Sequence, residues 1–156
     1  MRFLLAILLL LVPGIRADAH AGPDGAALYK RCAACHLSDG AGVPGAFPPL
    51  AGRIDAFAAT EQGRAYLVMV ISKGLAGRID VNGATYQGVM PAQAGLTDDN
   101  VAELLNFLLA FDNNNVTAAP FEAREVAEIR ASNADLDMRS VLSLRPESVA
   151  HRESTP

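Results

Sequence analysis

Two cysteines and one histidine fall within five residues, Cys32-Ala33-Ala34-Cys35-His36. The thiols stand three positions apart, so on one helical turn they face the same side. Thiols presented this way can add to the two vinyl groups along one edge of a porphyrin. The next residue, His36, then brings an imidazole under the metal as a proximal ligand. Other uses of the motif fit less well. A thioredoxin-type C-x-x-C wants a βαβ context, which the flanking sequence does not offer. A zinc site wants four ligands, and the other histidines, His20 and His151, lie near the two ends of the chain. A plain disulfide leaves His36 unexplained. These are the only two cysteines in the chain, and the motif points to one covalently attached haem c.

A six-coordinate iron needs a second axial ligand. Of the four methionines, Met1 belongs to the leader described below and Met138 to a polar C-terminal stretch. Met69, inside Val68-Met69-Val70, reads as core filling. Met90 closes Tyr86-Gln87-Gly88-Val89-Met90 and precedes Pro91. Gly88 gives the backbone room to approach a flat cofactor, and Pro91 sets the chain direction after the thioether. Thioether ligation raises the reduction potential relative to a second histidine. The metal ligands expected are therefore His36 and Met90, with no residue in a bond-making catalytic role.

Elements must hold these groups in place. Asp24 is a plausible N-cap for a helix that runs through Leu28 and Tyr29 into the cysteines. From Asp39 to Gly52 a run of Gly and Pro predicts an extended loop, whose Phe47 and Leu50 have to be buried. Thr60 to Lys73 predicts a largely buried helix stopped by Gly74. Leu75 to Leu96 is rich in Gly and predicts a second loop. Thr97 caps the strongest helix, with Val101, Leu104, Leu105, Leu108 and Phe111 at helical spacing, ended by Asp112-Asn113-Asn114-Asn115. Loops this long in a small domain are explicable if they wrap a cofactor. Pro120 to Arg130 predicts a short amphipathic helix carrying Phe121, Val126 and Ile129. Ser132 to Pro156 predicts a flexible tail with a weak helix around Asp137 to Leu144.

The N-terminus sets the compartment. Met1-Arg2 precedes an unbroken apolar run from Phe3 to Val12, then Pro13-Gly14 and two A-x-A sites at Ala17–Ala19 and Ala19–Ala21. This is the pattern of a secretory leader and is too short to span a bilayer. Cleavage after Ala21 predicts a periplasmic chain from about Gly22, with no membrane span after cleavage. That chain keeps eleven basic and sixteen acidic residues. No basic stripe suggests nucleic acid. With 156 residues, 51% of them apolar and no Trp, one small domain is expected, and a haem would supply the large apolar body at its centre.

Asp24 to about Asp112 resembles the class I cytochrome c family in its single-haem bacterial form. The resemblance rests on the early C-x-x-C-H, the Phe47-Pro48-Pro49-Leu50 loop, the G-x-M-P loop and the final helix, with Met90 about fifty residues after the haem motif. It implies an all-α small cytochrome c fold, with three main helices and long loops wrapping one haem, plus a C-terminal extension. The division expected is a leader at 1–21, a cytochrome c domain at 22–115, a short helical extension at 116–131 and the tail at 132–156. The resemblance also implies that Pro48 offers its carbonyl to the ring N–H of His36 and that Leu50 packs on the haem. Gly25, Leu28 and Tyr29 would meet the last helix near Leu104, Phe107 and Leu108. The implied function is electron transfer to redox partners such as a periplasmic dehydrogenase or a terminal oxidase, with Lys30, Lys73 and Arg78 as candidate docking charges. The competing expectations are a cytochrome subunit of such a complex, docked through Phe121 to Ile129 and the tail, and a ligand-binding haem with an open distal position.

Overall fold

The computed structural model describes residues 24–112 and 116–149; the leader, the end of the 112–115 run and His151 lie outside them. Helix α1 spans Gly25–His36, with the Asp24 carboxylate accepting from the Ala26 N–H. A short α2 at Ile54–Ala58 follows the proline loop, where the sequence carries no clear helical signal. Helix α3, Glu61–Lys73, starts where the Thr60 hydroxyl accepts from the Gly63 N–H and ends at Gly74, whose φ of 80° releases the chain. Helix α4, Asp98–Leu109, opens on a full capping box between Thr97 and Asn100, a device worth about 1 kcal/mol. It closes in a 3₁₀ turn at Ala110–Asp112. Helix α5, Ala123–Ser132, is the amphipathic segment expected after Pro120.

The terminal helices of the domain cross closely. A Cβ on Gly25 would lie 2.5 Å from the Cβ of Phe107 and 2.6 Å from the carbonyl oxygen of Glu103, so only glycine permits this approach. Tyr29, Phe107 and Phe111 form an aromatic cluster at the crossing, with ring centroids 5.1 to 5.5 Å apart. Val101, Leu104, Leu105 and Leu108 are buried beneath it. Full burial of each leucine is worth roughly 1.5–3 kcal/mol, which is what fixes α4 on the core. Met69 is fully buried in the same core, in line with its apolar neighbours.

Two expectations need correction. The stretch from Leu75 is not all loop: β1 (Leu75–Val81) and β2 (Ala84–Met90) form an antiparallel hairpin, so the fold is helical with a small sheet rather than all-α. The turn is Asn82-Gly83, both at positive φ (51° and 76°), a two-residue connection whose twist matches that of the strands. Two of the glycines that suggested a loop instead sit within the ladder, where Gly77 pairs with Gly88. The second correction concerns residues 133–149. They are not a free tail: a 3₁₀ helix at Ser140–Leu144 lies against α3 and β1, and Val141 and Val149 are buried in the main core. Few apolar residues are involved, but each is well placed. Among the described residues no helix is long and apolar enough to cross a membrane.

Candidate functional site

Helix α1 ends by delivering His36 to the interior, where the side chain is buried. The ring Nδ1 lies 2.8 Å from the carbonyl oxygen of Pro48. A carbonyl can only accept, so Nδ1 carries the proton and Nε2 keeps its lone pair. Burial pushes the His36 pKa down, the nearby Arg53 charge acts the same way, and the Pro48 bond partly opposes both. The imidazole is thus neutral near pH 7, the state in which it ligates a metal.

The proline loop is built to hold that carbonyl. The Gly42 N–H donates to the His36 carbonyl at 3.0 Å, and the Leu50 N–H donates to Gly40 at 2.7 Å. Arg53 donates to the Pro49 carbonyl at 2.6 Å while lying over the Phe57 ring. Contrary to the expectation that the loop buries it, Phe47 is 40% exposed, at the mouth of a cleft. Leu50 is half-buried and faces inward.

Two apolar clefts meet at this point. One is lined by Cys35, His36, Pro48 and Met90, with Ile79 and Tyr86 of the hairpin among the rest of its wall. The other is lined by Cys32, His36, Leu50 and Met90 against Leu67, Ile71 and Leu104. All six residues singled out in the sequence therefore line one cleft or the other, and His36 and Met90 line both. Met69 lines neither. The two cysteines form no disulfide. Burial pushes the Cys32 thiol up, Cys35 adds to this and Arg31 opposes it, so Cys32 stands as a neutral thiol. Apolar clefts lined by two cysteines outside any disulfide and by a held, neutral imidazole fit a covalently attached haem.

The hairpin's part in the site is masked in the sequence by glycines that read as loop, and Asn82-Gly83 between alternating residues is the one local signal for it. Gly42 and Arg53, which hold the Pro48 loop, carry no local signal. The candidate docking charges are dispersed. Lys30 is exposed on α1, Lys73 donates to the Ala134 carbonyl at 2.8 Å, and Arg78 pairs with Asp80 on the outer face of the hairpin.

Residues 23–112 match the family described as Cytochrome c. Over 133 residues the chain is 46% identical to a cytochrome c-552 of Thermus thermophilus, covering 83% of this chain and 86% of the relative. A second cytochrome c-552 of Thermus thermophilus is 46% identical over 111 residues, 69% of this chain and 85% of that one. Kinship of this extent, on a slot whose two cysteines suit thioether attachment, makes the chain a member of the cytochrome c family, an electron-transfer protein with covalently bound haem c.

Proposed function

We propose that this protein is an exported, freestanding electron carrier whose single haem iron is held between His36 and Met90. The observation that carries the reading is that these two side chains line both clefts while Pro48 holds the His36 Nδ1 proton. When bound, the haem supplies a one-electron Fe(II)/Fe(III) couple and makes no bond to a substrate. The chain's own residues set the conditions for that couple. The Pro48 carbonyl fixes the imidazole tautomer and raises its basicity. The Met90 thioether is neutral and soft, which favours the reduced iron. Leu50, Leu67, Ile71 and Leu104 keep the surroundings apolar and limit water.

Export to the periplasm rests on the leader pattern from Phe3 to Ala21. Redox partners would be a periplasmic dehydrogenase or a terminal oxidase. The burial of Phe121 and Val126 in this chain's own core supports a freestanding carrier over a subunit docked through them.

The test is spectroscopic. The purified haem protein should show a reversible one-electron midpoint and no carbon monoxide binding. Met90→Ala should lower the midpoint and create carbon monoxide binding. A native protein that already binds carbon monoxide would overturn the His/Met assignment, and a variant indistinguishable from it would remove Met90. Purification within a stable complex would overturn the freestanding carrier.

A further inference from the structure

The hairpin that carries Met90 is a two-stranded ribbon, and such ribbons are marginal on their own. Its inner face buries only Ile79, Val81 and Tyr86 as a cluster of its own. The C-terminal segment supplies what it lacks. The Ala76 N–H donates to the Met138 carbonyl at 2.9 Å. Arg145 donates to the Asp80 carbonyl at 3.1 Å. Between these two bonds, the Leu142 side chain fills the space Gly77 leaves: a Cβ on Gly77 would lie 2.5 Å from the Leu142 Cδ1. Leu142 also packs against the Ile79 cluster.

The segment reaches the base of the hairpin as well. A Cβ on Gly74 would meet the Met90 carbonyl oxygen at 2.5 Å and the Met138 Cε at 3.1 Å. Met90 pairs with Leu75 at this same end. The segment in turn is anchored away from the slot. Val141 and Val149 are buried in the main core, and Arg130, at the end of α5, bonds Ser72, Asp98 and the Leu96 carbonyl. A rigid core thus reaches the free edge of β1 through the C-terminal segment.

We infer that residues 133–149 are a positioning strap for the Met90 hairpin, and that Leu142 in particular slows displacement of the Met90 thioether by exogenous ligands. This rests on Met90 being an axial ligand. A thioether gives way to an incoming ligand when its segment opens locally, so the free energy of that opening sets the exchange rate. Leu142 contributes to the closed hairpin and not to the open one.

The experiment uses the full-length, haem-loaded ferric protein with imidazole as the incoming ligand. Leu142→Ala should bind imidazole about tenfold faster, which corresponds to about 1.4 kcal/mol. Hydrogen exchange of the hairpin amides should accelerate in parallel, and Leu142→Met should restore both. Should Leu142→Ala not fold, Arg145→Met should move both readouts in the same direction. Imidazole binding at the native rate in a variant with a lowered melting temperature would overturn the inference, leaving the segment as general stabilisation. Met90→Ala separates the two readings. If it retains the thioether-to-ferric-iron charge-transfer band, the ligand assignment fails. If it loses that band while Leu142→Ala exchanges normally, only the strap fails.

Discussion

The carbonyl oxygen of Pro48 sits 2.8 Å from Nδ1 of His36, and Gly42 is the residue that lets it. Gly42 has φ of 67°, and a Cβ there would lie 2.5 Å from the Phe47 carbonyl oxygen and 2.7 Å from that of Pro48. The same glycine bonds back to the His36 carbonyl. His36, the Pro48 carbonyl and the loop glycine thus form one mechanical unit.

Gly42→Ala should displace the Pro48 carbonyl and weaken the bond that raises imidazole basicity. A less basic imidazole stabilises Fe(III) less, so the midpoint potential should rise. With the whole bond worth about 1 kcal/mol, the rise is at most roughly 40 mV for one electron. Redox titration of the variant against the native protein checks the sign, and an unchanged or lower midpoint would refute it.

Tyr29 donates its hydroxyl to the Leu37 carbonyl at 2.7 Å, pinning the residue that follows His36 and that adopts a φ of 64°. Tyr29→Phe should cost about 1 kcal/mol of stability at neutral pH. Burial is the main cause that pushes the Tyr29 pKa up to about 12, and the Asp39 charge acts the same way. A phenol that ionises later in the folded state stabilises fully below about pH 10, and that contribution falls as pH rises from there to about 12. Denaturant unfolding across this window should therefore show a steeper alkaline loss for the native protein than for Tyr29→Phe. Parallel curves would place the hydroxyl outside the fold's pH response.

Arg64 lies across the Phe121 ring and forms a two-pronged ion pair with Glu125, one prong at 2.6 Å, tying α3 to α5. The hydrogen bonds from Arg64 hold the Glu125 carboxyl below the usual range, against a smaller opposing effect of burial. A depressed carboxyl contributes stability above its unfolded pKa, and that contribution disappears as pH falls through the folded value. Glu125→Gln should lower the melting temperature at pH 7 and flatten its decline below about pH 4.5. Thermal melts at stepped pH decide this; an equally steep acid decline in the variant would clear Glu125 of the role.

The hairpin shows why part of the site was hidden. Asn82-Gly83 announces a two-residue turn, yet Gly77 and Gly88 dilute the alternation on either side of it. Their purpose emerges only in space: Gly77 makes room for Leu142, and a Cβ on Gly88 would meet open space beside the slot. The C-terminal segment was hidden for a related reason. Val141 and Val149 have no helical or alternating period with their neighbours, so their burial depends on surfaces that α3, β1 and the core present to them.

The sequence alone determined the chemistry that is local. Cysteines three residues apart and an adjoining histidine share one helical turn, so their relation holds whatever the rest of the chain does. The same locality made the caps at Asp24 and Thr97 readable. The tertiary structure decided everything that depends on distant surfaces meeting. It set Pro48 against His36, brought Met90 to the cleft that His36 lines, and laid Leu142 into the gap at Gly77. Contacts between segments so far apart follow from packing of the whole core, which no short stretch of residues encodes.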